Sequence, residues 1–121
     1  MPSREIVEAF AGRLEAGDFV GAIEKFYAPD AVLFEFPDKS LAKGTAALRE
    51  RYTARFADPL LHATSAHRIA MGNKVIDHEK VRIRLPEGPG NWELTAIYEV
   101  KGGLITQVWF IFGEKTLDAK K

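Results

Sequence analysis

With 121 residues the chain fits a single domain, and its 17 Lys plus Arg are balanced by 17 Asp plus Glu, which removes any general electrostatic attraction to nucleic acid or to an anionic membrane surface. The lack of cysteine excludes a disulfide framework, a thiolate nucleophile and Cys-ligated zinc. No apolar run approaches the roughly 20 residues of a membrane span, and the first ten residues lack the apolar segment of a secretion signal, so a soluble, cytoplasmic protein is expected.

Ser3 is placed to cap a first helix in which Ile6, Val7, Phe10 and Leu14 recur at helical spacing, and Gly17 supplies a left-handed stop. Asp18 caps a short second helix with Phe19, Ile23, Phe26 and Tyr27 apolar, after which Pro29-Asp30 turns the chain into a strand over 31–36. Residues 37–44 read as a loop. Thr45 caps a third helix with the stripe Leu48, Tyr52 and Phe56, which Pro59 ends. Four strands follow, near 60–71, 74–85, 92–100 and 104–113, joined by Gly72-Asn73, by a turn at 86–91 and by Lys101–Gly103. Residues 114–121 read as a solvated tail on one domain spanning 1–121. Helices first and strands afterwards indicate an α+β fold, with helices on one face of a largely antiparallel sheet.

Turn geometry gives register. A two-residue turn at Gly72-Asn73 sets Arg68 opposite Asp77, His67 opposite His78 and Ala66 opposite Glu79, so Arg68, Asp77 and Glu79 share a face. A three-residue turn at Lys101–Gly103 places Leu94, Ala96 and Tyr98 on the face of Thr106, Val108 and Phe110. The other face then carries Ile97, Ile105, Trp109 and Ile111, an apolar set with no cover within one chain, and a homodimer is the expected cover, anchored by Trp109.

The segments LEAGD (14–18), FYAPDAV (26–32), GTAALRERY (44–52), GNKVIDHE (72–79) and FIFGEK (110–115) resemble the nuclear transport factor 2-like superfamily, in its ketosteroid isomerase and SnoaL-like branch. The resemblance covers nearly the whole chain. It implies a cone: a strongly curved, mostly antiparallel sheet wrapped around N-terminal helices, with a deep pocket inside and commonly a homodimer through the outer surface of the sheet. It also places the family's catalytic base on Glu35, its tyrosine oxyanion donor on Phe10 and its protonated aspartate donor on Ala96. Neither Phe10 nor Ala96 can donate a hydrogen bond, and an oxyanion donor is worth roughly 10²–10³-fold in rate, so efficient steroid isomerisation by that machinery is not expected.

Within this frame the ligand pocket is expected to be lined by Phe10, Leu14, Tyr52, Phe56, Val81, Ile83, Leu94, Ala96, Tyr98, Val108, Phe110 and Phe112. The candidate catalytic residues are Glu35, Asp77, Glu79, Arg68 and His62. Glu35, between two phenylalanines, is either a base with a raised pKa or a solvent-facing residue. Asp77 and Glu79 with Arg68 are either a proton-transferring constellation or an ion pair that fixes the hairpin. His62 lies at the pocket rim or on the surface, and Tyr98 is either a ligand donor or a core tyrosine. His67 and His78 face one another, but two ligands without a third predict no metal site. The expected activity is cofactor-free acid/base chemistry on a small apolar ligand, of isomerase or cyclase type. The alternatives are water activation by the Arg/Asp/Glu cluster, similar to limonene epoxide hydrolase, and a non-catalytic ligand- or protein-binding module.

Overall fold

A computed structural model describes residues 2–118. The order of elements is α1 (Ser3–Glu15), α2 (Phe19–Phe26), β1 (Tyr27–Glu35), β2 (Lys39–Lys43), α3 (Thr45–Phe56), β3 (His62–Met71), β4 (Lys74–Leu85), β5 (Gly88–Lys101) and β6 (Leu104–Leu117). The six strands form one unclosed sheet in the order β2-β1-β6-β5-β4-β3, antiparallel throughout except for the parallel pair β1 and β6. This is the expected α+β fold, with the three helices gathered against the inner face of a curved sheet. Curvature has a local cause: bulges interrupt the ladders at Leu33/Phe34, Ser65/His67, Trp92/Leu94 and Glu99/Val100, and each bends its strand.

The amphipathic stripe of α1 buries Ile6, Val7 and Phe10 completely or nearly so. Phe10 sits at the centre, its ring edge-on to those of Phe26, Tyr27, Tyr52 and Tyr98 at centroid distances of 5.1–6.4 Å. Gly17 takes φ 87° and releases the chain into α2, where the Asp18 side chain accepts from the Gly21 amide at 2.9 Å. Ser3 and Thr45, expected as caps, are instead the first helical residues after Pro2 and Gly44, and neither end has a side-chain cap.

Four further expectations are corrected. Tyr27 opens β1 rather than closing α2. The loop expected at 37–44 contains β2, an edge strand paired with β1 through Leu33–Ala42 and Val32–Lys43. The turn before β5 is only Pro86-Glu87, so β5 begins at Gly88. Residues 114–117 of the expected tail continue β6 against Gly90–Trp92, and Arg82 donates to both carboxylate oxygens of Asp118 at 2.7 and 3.0 Å; residues 119–121 lie outside the described part.

The β5–β6 hairpin shows how a bulge overturns an assignment. The turn has two residues, Gly102-Gly103, and Thr106 is extruded as a bulge, its hydroxyl bonded to Glu99 Oε1 at 2.6 Å. The two changes together shift the register by two, so Leu94, Ala96 and Tyr98 keep their face but meet Phe112, Phe110 and Val108. Ile105, placed before the bulge, turns inward opposite Val100 and is fully buried, so it does not belong to the outer face where the sequence placed it. Ile97, Trp109 and Ile111 do lie outside. There Ile69, Ile76, Ile97, Trp109 and Phe34 stand in direct cross-strand register, forming an apolar row across five strands, with Trp109 stacked on Phe34 at 5.8 Å.

Candidate functional site

Between the helices and the inner face of the sheet lies a cavity of about 710 Å³. The strand period of two decides which β4 residues enter it: Asp77, Glu79 and Val81 face inward in succession, flanked by the core residues Val75 and Ile83. The walls are apolar, from Leu33 on β1, Trp92 and Leu94 on β5, Phe110 and Phe112 on β6, and Leu14, Tyr52 and Phe56 on the helices. Trp92, Phe112 and Phe110 form a continuous stack with centroid spacings of 4.9 and 5.7 Å. The bulge at Gly113 anchors that stack: the Trp92 indole donates to Gly113 O at 3.2 Å, and a Cβ at Gly113 would stand 2.6 Å from the Glu93 carbonyl.

The polar part of the cavity is built on the β3–β4 hairpin. Arg68 donates to both oxygens of Asp77, Nε to Oδ1 at 2.5 Å and Nη2 to Oδ2 at 2.9 Å, and the Ser65 hydroxyl adds a longer contact at 3.4 Å. The pair is deeply placed, since Asp77 is 1% exposed. Arg68 also lies 3.6 Å from Glu8 of α1, whose carboxylate is held in turn by Arg4. The expected Arg68–Asp77 and His67–His78 pairings hold, but Ala66 bulges out, so Ser65 and not Ala66 stands opposite Glu79.

Glu79 is the exception within this cluster. It lines the cavity beside Asp77, yet among the described residues its carboxyl makes no hydrogen bond or ion pair, because the one arginine in reach is committed to Asp77. Burial is the main reason its pKa is pushed up to about 7, and the neighbouring charge of Asp77 adds to this while Arg68 opposes it. A carboxyl that titrates near neutrality in an apolar cavity can take up and return a proton at physiological pH. Two tyrosines stand near it. Tyr98 lines the cavity with no hydrogen-bond partner among the described residues, and burial followed by the charge of Glu79 raises its pKa, keeping it a neutral donor. The Tyr52 hydroxyl is 2.9 Å from that of Tyr27, and its pKa is pushed up to about 12, chiefly by burial.

Of the remaining sequence candidates, His62 lines the cavity at an exposed position on β3. Glu35 is half-buried, paired across the strands with Lys39 and Phe110, and does not line the cavity. Phe10, Ile83, Ala96 and Val108, expected in the pocket lining, lie in the packed core behind it and contribute no surface to the cavity. Among the described residues no group of three or more His, Cys, Asp or Glu could hold a metal; His67 stacks on His78, and His78 pairs with Glu93. Sequence reasoning missed Leu33, Ser65, Trp92, Arg51 and Arg55 in the cavity lining. Trp92 shares the parity of Leu94, and Arg51 and Arg55 each precede a residue of the stripe Tyr52, Phe56, so the signals were present.

Comparison with known proteins bears on the whole fold. Similar solved structures include a cystatin-fold protein from Novosphingobium aromaticivorans (TM-score 0.81, 23% identity, covering 92% of this chain and 98% of that one). AclR of Streptomyces galilaeus, a suggested hydroxylase, superposes with a TM-score of 0.76 at 16% identity over 92% of this chain and 88% of its own. A SnoaL-like protein from Mesorhizobium loti, suggested to be a polyketide cyclase, gives 0.70 at 23% identity over 91% and 98%. No curated protein sequence matches the chain. At these identities the structures speak for the fold alone. The sequence itself carries the signature of the SnoaL-like domain over residues 7–108, from the middle of α1 to the cavity-side strand β6, and the chain therefore belongs to the SnoaL-like domain family.

Proposed function

We propose that the chain is a cofactor-free acid/base enzyme that moves a proton on a small apolar carbonyl compound held in the cavity, with Glu79 as the proton-transferring group. The observation that supports this reading is the unpaired Glu79 carboxyl, half-buried in the lining of a largely apolar cavity and titrating near neutrality. Ionised Glu79 takes a proton from the carbon next to the carbonyl, the electron pair moves onto the carbonyl oxygen, and the Tyr98 hydroxyl donates a hydrogen bond to the oxygen as it becomes negative. Return of the proton from Glu79 to a different carbon gives an isomerase. Attack of the enolate carbon on a second carbonyl of the same molecule, whose oxygen takes the proton back from Glu79 as the new carbon–carbon bond forms, gives a cyclase. Arg68 and Asp77 act as positioning residues, holding β3 to β4 and leaving Glu79 the spare carboxylate. The test is deuterium uptake from D2O into the α-carbon of 2-tetralone and related ketones, followed by NMR. Exchange that is faster than in buffer, that depends on a group near pH 7 and that is lost in Glu79→Gln supports the reading; no exchange with any ketone overturns it in favour of a binding module.

We also propose that two copies associate through the outer face of the sheet. The apolar row from Ile69 to Phe34, with Ile111 and Ile69 exposed by 44% and 53%, supports this assembly, since such a surface favours burial against a second copy.

A further inference from the structure

Two arginines of α3 are left over from the site as described. Arg51 and Arg55 stand one turn apart and line the cavity together with Tyr52 and Phe56. On their other side both line a shallow groove with Leu41, Ala42, Ala47 and Glu50, so they occupy the boundary between the cavity and solvent. Neither makes a hydrogen bond or ion pair with any described residue, whereas the neighbouring Arg49 is bound to Glu24 at 2.6 Å. Of the nearby carboxylates, Asp58 accepts from the backbone amides of Leu60 and Arg84 and Glu8 is held by Arg4 and Arg68, while Glu15, Glu50 and Glu79, which line the same cavity or groove, make no hydrogen bond or ion pair with either arginine. Two like charges at helical i, i+4 spacing and half-buried oppose folding. Burial lowers the pKa of both; for Arg51 the charges of Tyr52 and Glu35 oppose this in part, and for Arg55 the charge of Arg51 lowers it further. Neither guanidinium has a hydrogen-bonded counter-ion among the described residues, and an external anion would supply one.

The aromatic stack gives the other half of the argument. The Arg55 guanidinium lies 4.8 Å above the Trp92 ring, whose neighbours in the stack are Phe112 and Phe110, so cationic and flat apolar surfaces are continuous. Tyr52 lines the cavity together with Glu79 and both arginines; burial is the main cause of its raised pKa, Glu79 adds to it, and the Tyr27 hydrogen bond, Arg51 and Arg55 oppose it.

We propose that Arg51 and Arg55 form an anion-docking pair and that the ligand of this cavity is an apolar carboxylic acid, its carboxylate seated on the two guanidinium groups and its body lying along Trp92, Phe112 and Phe110 toward Glu79. This inference rests on the cavity being the ligand site and specifies which end of the ligand faces solvent. A docked carboxylate fixes the distance at which a carbonyl-bearing carbon meets Glu79, so the pair acts in orientation as well as affinity.

The experiment is titration calorimetry of the full chain with 2-naphthoate and with methyl 2-naphthoate, which share an apolar body and differ in charge. The acid should bind at least about tenfold more tightly than the ester, and the advantage should shrink as NaCl is raised. In the Arg51→Gln, Arg55→Gln double variant the acid should fall to the level of the ester while the ester is unchanged. An Arg51→Lys, Arg55→Lys variant, which keeps both charges, should retain part of the preference and so separates loss of charge from damage to α3. Equal binding of acid and ester in the wild type, or a preference that survives in the glutamine variant, overturns the docking pair. If the preference is found but ketone exchange is absent, the proton-transfer reading falls and the docking pair stands. If exchange is found without preference, the reverse holds; failure of both probes to bind overturns the docking pair, and failure of the ketones to exchange as well removes the cavity as a ligand site.

Discussion

Asp77 and Glu79 lie two residues apart on one face of β4, and Arg68 binds the first through two hydrogen bonds while leaving the second with none. One arginine shared between two inward carboxylates makes them unequal. The ion pair satisfies its own charges and shapes the hairpin, and a proton on Glu79 removes the negative charge that is left over.

The first prediction follows from the sign of that protonation. Glu79 has a folded-state pKa of about 7 against 4.5 for the ordinary carboxyl. The folded chain therefore holds the proton over a range where the unfolded chain has released it. Below the unfolded value Glu79 contributes nothing; as pH rises from 4.5 to 7 the carboxyl ionises in the unfolded chain but stays protonated in the folded one, which costs progressively more stability, and above 7 the full cost remains. Glu79→Gln should match the wild type near pH 4 and exceed it at pH 8 by up to about 3 kcal/mol. Urea denaturation at the two pH values measures this, and a difference independent of pH would contradict it. The same variant should lose ketone exchange, so stability and activity move in opposite directions.

Removing one member of the ion pair strands the other. Arg68→Met should cost roughly 3–5 kcal/mol, because Asp77 is left buried and unpaired. Arg68→Met combined with Asp77→Leu should cost much less. Small and additive losses in chemical denaturation would show that the pair behaves as a surface contact of about 1 kcal/mol or less.

The outer face of the sheet makes a prediction about assembly. Trp109→Glu with Ile111→Lys places charges in the middle of the apolar row, and sedimentation should change from dimer to monomer without loss of the fold. A wild type that sediments as a monomer, or a double variant that remains a dimer, rejects this face as the interface.

Turnover of a Δ5-3-ketosteroid should not exceed background. Phe10 and Ala96 are both fully buried and carry no donor, and Glu35 lies outside the cavity lining, so none of the three positions that the family resemblance singles out presents a functional group to a ligand there. Conjugated ketone formation, followed by absorbance, is the measurement, and robust turnover would mean that the cavity rearranges around a steroid.

The fold was legible because its signals are local and redundant: the stripe of α1, the stop at Gly17 and the Gly72-Asn73 turn each act within a few residues. The Arg68–Asp77 pair was legible for the same reason, since it lies four residues either side of that turn. What escaped was set by bulges. One extra residue at Thr106 turned Ile105 inward, and another at Ala66 replaced Ala66 by Ser65 opposite Glu79; neither position carries a glycine to announce it. Edge strand β2 escaped because five residues with exposed lysines at both ends have the composition of a loop. The inequality of Asp77 and Glu79 escaped because strand parity gives a face and says nothing of which carboxylate the single arginine will choose.

The parallel pairing of β1 with β6 has a consequence for the order of events during synthesis. The strand that carries Leu33 leaves the ribosome well before the neighbour against which it must pair, which follows some seventy residues later. At synthesis rates of about 5–20 residues per second, α1, α2 and the β1–β2 pair wait on the order of seconds with their apolar faces unmet. A nascent chain halted before β6 holds two separate fragments, β2-β1 and β5-β4-β3, and no cavity. The strand that finishes the sheet also delivers Phe110 and Phe112 to the ligand wall, so competence to bind arrives in the same step as completion of the fold.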